Sequence, residues 1–276
     1  MFRKLLRYDM RAIVKYWWIA AAVSLLFSAI GGVCIQILKV DYTEMGFLQG
    51  VAILGLVLVA LAIGAFSLVN MILVFARFYK NFFTDEGYLT FTLPVRRSQL
   101  LNSKLLASLI FMVCTGFVMM ADIAVLLLVG IPEEIFSKAF IRGIKLFIEE
   151  VSSTLGFYAV VYILEILAAI VVSSIFAILV IFVCITLAST LTKKHKFIVA
   201  IGLYYAYSSV MGFVMQLFML NTGIYSIVEK IAALSEGELK FIISIILLGG
   251  ISLMGVGAAG LHVLEEYLLR RRLNLD

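Results

Sequence analysis

Residues 166–192 read ILAAIVVSSIFAILVIFVCITLASTLT, a run without Asp, Glu, Lys, Arg or His. At ~1.5 Å of rise per residue, a helix of that length crosses the ~30 Å hydrocarbon core of a bilayer. Within that core only helices and closed barrels satisfy their own backbone hydrogen bonds. The run lacks the alternation of apolar and polar residues that marks a barrel strand, so it is read as a membrane helix. The rest of the chain agrees: of 276 residues, 64% are hydrophobic and 14% charged, and the mean hydropathy is +1.14. Such a composition excludes a water-soluble domain, and two prolines exclude collagen-like and Pro-rich disordered chains.

Five further apolar stretches are long enough to span, so the sequence predicts an all-α integral membrane protein with six transmembrane helices, at 17–38, 51–75, 105–131, 155–188, 197–220 and 241–263. A continuous helix over 155–188 would reach about 51 Å, so its start is expected to project beyond the hydrocarbon. The first apolar run is about twice a signal-peptide core in length, and no small-residue cleavage site follows it, which argues against a cleaved leader. Cys34, Cys114 and Cys184 all lie inside apolar runs at different expected depths, the pattern of small buried hydrophobes; neither a disulfide framework nor a metal site is expected.

Basic residues set the orientation, because positively charged loops resist translocation. With both termini inside, sixteen of the 22 Lys and Arg fall on the cytoplasmic side: before Trp17, from Arg77 to Lys104, in Lys193 to Lys196 and in Arg270 to Arg272. Acidic residues are more numerous outside. The net charge of +5 therefore reflects topology, and no nucleic-acid partner is implied.

Three segments outside the spans carry pattern. Over 1–16, Phe2, Leu5, Leu6, Met10 and Ile13 recur at helical spacing opposite Arg3, Lys4, Arg7, Arg11 and Lys15, which predicts an amphipathic helix at the membrane interface. Tyr16, Trp17 and Trp18 then mark an aromatic belt. Residues 132–150 place Ile135, Phe136, Phe140, Ile144 and Phe147 on one side of an expected helix lying on the outer surface. Residues 264–276 form a basic cytoplasmic tail.

The most informative segment is the cytoplasmic loop 76–104, in which 77–94 read RFYKNFFTDEGYLTFTLP. Phe75, Phe78, Tyr79, Phe82 and Phe83 keep helical spacing beyond the second span. Thr84 can cap a short new helix whose first turn carries Asp85 and Glu86, where carboxylates favour the positive end of the dipole. Pro94 ends it, and Ser98 can cap the third span. Aromatics on such a segment either dock on another protein or pack as a hairpin on their own bundle.

Residues 77–94, with RSQLL at 97–101 and KLLA at 104–107, resemble the permease subunits of bacterial ABC transporters of the ABC-2 type. The resemblance implies a plasma-membrane exporter in which two six-span subunits pair, each docked on a cytosolic ATPase. It makes 1–16 the connecting helix. It makes Phe82, Phe83, Thr84, Asp85, Glu86, Gly87, Tyr88 and Leu89 the coupling residues that enter the ATPase. The chain has no Gly-x-x-x-x-Gly-Lys-Ser/Thr sequence, so ATP and magnesium are expected on the partner and no enzyme activity on this chain. Permeases of this type usually carry a membrane-dipping helical pair between spans five and six, whereas 221–240 here are short and charged.

Asp122 and Glu165 fall within apolar runs, at depths that suggest the outer leaflet. Because an ionisable group in a span is costly unless it faces protein or water, both are candidates for an acidic vestibule on the substrate path. Gly255 and Ala259 form a small-x-x-x-small pair on the sixth span, suited to close helix contact within the subunit or across a dimer. Glu265, Glu266 and Arg270 match a Glu-Glu-x-x-x-Arg pattern of prenyl-protein endopeptidases, but His262 and His195 do not stand where that chemistry needs them. The stronger rival is a channel or secondary transporter working without an ATPase, although no repeat relates the two halves.

Overall fold

The computed structural model describes residues 2–39, 46–84, 87, 97–192, 195–221 and 235–271. Eight helices account for nearly all of them: α1 (Phe2–Lys39), α2 (Gly46–Phe83), α3 (Arg97–Gly130), α4 (Pro132–Ile135), α5 (Lys138–Leu155), α6 (Phe157–Leu191), α7 (Lys196–Asn221) and α8 (Glu236–Arg271). Six of them, α1, α2, α3, α6, α7 and α8, are long and apolar enough to cross a membrane. The chain is thus an all-α, multi-pass membrane protein.

The helices outrun the apolar windows. No break separates the amphipathic stretch 1–16 from the first span; both belong to the single 38-residue α1, so the separate interfacial helix is instead the first turns of a longer rod. No Gly or Pro stands between Phe2 and Ile30 to stop it. The α2 helix likewise carries on to Phe83, and α3 starts at Arg97, which puts Ser98 inside its first turn. At the far end of α3 the chain turns through Ile131 into the single turn of α4, with Pro132 at its first position. Leu155, expected to open the fourth span, instead closes α5. The break is Gly156, whose φ of +53° is a left-handed value that suits glycine, and α6 begins at Phe157.

Two compact units divide the chain: Met1–Arg77 with Leu106–Glu150, and Phe78–Leu105 with Val151–Asp276. In the first unit α1 offers a seam of small and polar side chains, Ala21, Ser24, Ser28, Gly31 and Gly32, all buried. A Cβ on Gly32 would fall 2.5 Å from Val129 Cβ, and one on Gly31 would fall 2.9 Å from Val59 Cγ2. Gly55 of α2 faces Cys34, and Gly130 of α3 faces Ile35. Such contacts hold membrane helices together where water supplies no drive for apolar helices to associate. Trp17 departs from the belt position: its indole N–H donates to Thr115 Oγ1 at 2.9 Å and its ring packs on Phe66 and Phe111. Lys39 donates to Glu134, which holds that exposed carboxyl below its ordinary range. The stability this pair contributes is present above that range and is lost as pH falls.

In the second unit α6 is the central element. Its residues from Ile178 to Ile185 are buried without interruption, and it packs along α8 and α7. The α5 helix buries none of its residues, so its apolar side is open along its length.

Gly32→Ala is expected to lower the thermal unfolding temperature of the detergent-purified protein by an amount equivalent to about 1–3 kcal/mol, through overpacking against Val129. Gly64→Ala, where a Cβ meets nothing within 4 Å, is expected to leave it unchanged or slightly raised.

Candidate functional site

At the end of α2, within the second unit, the aromatic run of the elbow divides into an inner and an outer set. Phe78 and Phe82 are each only 1% exposed. The ring of Phe78 lies flat on Phe182 of α6, with centroids 3.8 Å apart and planes at 8°, and Phe82 packs on Phe78 at 4.9 Å. Tyr79 and Phe83 are half-buried; Tyr79 meets Phe197 of α7 edge-on at 6.2 Å. The expectation that Phe82 contacts a partner is therefore corrected: its ring is fully occupied inside the chain. Phe83 and Thr84 keep accessible surface.

The Thr84 hydroxyl donates back to the Lys80 carbonyl at 2.5 Å, one turn earlier in α2. The Gly87 amide donates to the Thr84 carbonyl at 2.7 Å. Gly87 is buried, and a Cβ there would fall 2.7 Å from the Phe82 carbonyl oxygen, so any other residue would collide with backbone. Asp85, Glu86, Tyr88 and Leu89 lie outside the described residues.

Besides Asp9 of α1, whose Oδ1 accepts from Arg77 Nε at 3.3 Å, three carboxylates are buried within helices. In the first unit, Asp122 of α3 is 0% exposed; it stands beside Ser24 and Ser28 of α1, but neither of its oxygens completes a hydrogen bond. In the second unit, Glu165 of α6 accepts the Ser244 hydroxyl of α8 on Oε1, and Oε2 has no partner. One turn earlier, Tyr162 donates to the Lys240 carbonyl at 2.8 Å. Both side chains are covered, so neither lines an open acidic vestibule; each is enclosed by its own helices.

The third carboxylate, Glu265 of α8, was expected in a solvated tail and is instead 0% exposed. Its Oε1 accepts the Thr186 hydroxyl of α6 at 2.5 Å, and its Oε2 is unpartnered. The signal for this lies in the sequence: Leu261, Glu265, Leu268 and Leu269 recur at helical spacing, so the carboxylate continues an apolar stripe. Its neighbour Glu266 faces out and pairs with Arg270 one turn on. His262 Nε2 lies 2.7 Å from Asn102 Oδ1; since an amide oxygen only accepts, the imidazole donates. The Glu-Glu-x-x-x-Arg pattern thus splits into one inward and one outward carboxylate. Among the described residues, no three His, Cys, Asp or Glu side chains are grouped so as to hold a metal ion.

Between α6, α7 and α8 is an apolar cavity of about 370 Å³, lined by Val180, Cys184, Leu187, Leu203, Tyr207 and Leu261 among others. Small-residue contact on α8 is made at Gly257, where a Cβ would fall 2.9 Å from the Phe176 ring. Of the two alternatives for Gly255 and Ala259, contact within the subunit is not seen among the described residues: Gly255 meets nothing within 4 Å and Ala259 is exposed. No protein-family model, curated protein or solved structure matches the chain.

Phe78→Ala is expected to destabilise the purified protein by about 3–5 kcal/mol, and Phe83→Ala by clearly less, as read from thermal unfolding. Thr186→Val, which removes the donor to Glu265, is expected to cost about 1–3 kcal/mol, with Thr186→Ser recovering most of it.

Proposed function

We propose that the chain is the transmembrane permease subunit of an ATP-driven exporter of the ABC-2 type, working in a bacterial plasma membrane with both termini in the cytoplasm. The observation that carries this reading is the run 77–94, whose aromatic start, acidic tip and terminal proline are those of a coupling segment. Six long apolar helices supply the membrane domain such a subunit needs. The excess of Lys and Arg in the segments shared by the two termini and the elbow supports their common cytoplasmic side.

In this reading a separate ATPase subunit binds ATP and magnesium and grips the elbow at Phe83, Thr84 and the acidic pair Asp85 and Glu86, with Gly87, Tyr88 and Leu89 behind them. Phe82 belongs to the anchor and not to the grip. Its stack with Phe78 and Phe182 ties the elbow to α6, so a displaced tip pulls on the most deeply buried helix of its unit. ATP can drive transport only if the ATPase binds one arrangement of the elbow better than the other. The open face at Gly255 and Ala259 suits packing against a second permease subunit. Substrates travel along a path lined by membrane helices, and Asp122 and Glu165 act there from within the helix seams rather than as a vestibule wall.

Purification in a mild detergent is expected to bring an ATP-binding subunit along with the chain. Reversing the charge at Asp85 and Glu86 (Asp85→Lys with Glu86→Lys) is expected to abolish that association without reducing membrane insertion. A chain that purifies alone and still transports in proteoliposomes would establish the rival, an ATPase-independent channel or secondary transporter. A cysteine placed at Tyr88 that reacts with an impermeant reagent from the cell exterior would sink the coupling role outright.

A further inference from the structure

Within residues 17–38, 46–76 and 105–130, the spanning parts of α1, α2 and α3, Asp122 is the only Asp, Glu, Lys, Arg or His. One and two turns further along α3 the helices come into close contact: Leu126 meets the position of Gly31, and Val129 and Gly130 meet Gly32. The Asp122 carboxyl is 0% exposed. The side chains that face it from α1 are Ser24 and Ser28. Ser24 donates to the Ala21 carbonyl at 3.0 Å, and Ser28, itself 0% exposed, leaves its hydroxyl unpartnered. Both Asp122 oxygens are unpartnered as well. Titratable groups elsewhere in these helices are few: α2 offers none between Gly46 and Ala76, Cys34 of α1 faces Gly55, and Cys114 lies two turns back along α3.

A carboxylate buried without a cation, faced only by two serine hydroxyls, is strongly disfavoured against its neutral form. No side chain of these three spans supplies the missing charge. Three orphaned oxygens, Asp122 Oδ1 and Oδ2 and Ser28 Oγ, gather at one point of a tightly packed seam, beside a fourth on Ser24. That set fits the smallest cation best. A proton needs only one oxygen to bind and one to accept, whereas a metal cation needs a shell of several ligands at once.

We propose that Asp122, with Ser24 and Ser28, is a proton-binding site in the α1–α3 seam. With the proton bound, the neutral carboxylic acid turns its O–H to a serine hydroxyl and the seam stays dry and closed. On release the O–H bond breaks, the electron pair stays on the carboxylate, and the proton passes to water. The anion then requires water or donors that the closed seam does not provide, so release favours a loosened α1–α3 contact. The proposal does not depend on the ATPase: proton binding at Asp122 stands or falls whether the chain is an exporter subunit or works alone.

Infrared difference spectra of the full-length protein in lipid vesicles, taken between neutral and alkaline pH, test this directly. The expected result is a protonated-carboxyl C=O band that is present at neutral pH, is lost on alkalinisation, and is missing from Asp122→Asn, an isosteric change that keeps the packing. The bands of Glu165 and Glu265, removed in turn by Glu165→Gln and Glu265→Gln, serve as internal references. Dicyclohexylcarbodiimide, an apolar reagent that adds to protonated carboxyls, is expected to modify the Asp122 peptide at neutral pH and to modify it less as pH rises. Ser28→Ala, which removes a hydroxyl able to solvate the anion, is expected to shift the midpoint of both signals to higher pH. Absence of an Asp122-dependent C=O band at neutral pH would overturn the proposal. So would protection of Asp122 by sodium chloride at constant pH, which would make a metal cation the occupant.

Discussion

The Phe78 ring lying flat on Phe182 is the contact on which the end of α2 depends for its place in the second unit. Two aromatic faces at 3.8 Å, with Phe82 closing the side, exclude solvent and fix the last turn of α2 against the middle of the buried stretch of α6. Truncating a ring in such a cluster leaves a cavity that a tightly packed interior cannot refill. Gly87 completes the arrangement from the other side: its amide reaches the Thr84 carbonyl, and it has no Cβ to strike the Phe82 carbonyl. Side-chain stacking thus fixes the last turn of α2 in its unit, which is what the proposed coupling role requires of it.

The first unit obeys a different constraint. Its helices meet through glycine and serine, and α1 turns its small residues inward while its large ones, Trp18, Leu26 and Ile30, point outward. In a lipid solvent this inversion is expected, since large apolar side chains are as well accommodated by hydrocarbon as by protein, and close approach of backbones is what remains to be gained. A polar group can then sit in the seam only if it is small, as Ser24 and Ser28 are, or if its charge is neutralised, as that of Asp122 must be.

Much of this was legible in the sequence, for reasons that differ from place to place. The six helices followed from apolar length alone, because a bilayer leaves no other way to satisfy so many backbone groups. Their ends did not follow, because the windows measure lipid contact while helices stop where backbone chemistry stops them, at Gly156 or before Pro132. The importance of the elbow was visible in its aromatic spacing, but which rings face inward was not. Phe82 and Phe83 are adjacent and chemically identical, and only the presence of Phe182 on a distant helix decides between them. Gly255 and Gly257 pose the same problem, for the sequence gives both a small-residue neighbourhood and only Phe176 selects Gly257. The burial of Glu265 was missed because the arginines after it made its segment look solvated, although its spacing from Leu261, Leu268 and Leu269 already placed it on the covered face.

Asp122, Glu165 and Glu265 share a property that bears on the proposed role in transport. Each leaves at least one oxygen without a hydrogen bond, and Asp122 leaves both. An unsatisfied buried polar group costs about 1–3 kcal/mol, more when charged. In a protein that needed only to be stable, such groups would be liabilities that hydrophobic replacements could remove. In one that must alternate between arrangements, they raise the free energy of the packed form toward that of a form in which water or a ligand reaches them. A difference of a few kcal/mol between two states is the range in which differential binding of a ligand can exchange their populations. If the chain is the exporter subunit proposed above, the orphaned oxygens of Asp122, Glu165 and Glu265 would bring each unit's packed arrangement within reach of its alternative. The glycine seam and the Phe78–Phe182 stack are the close contacts that would hold the helices together as bodies in such a cycle.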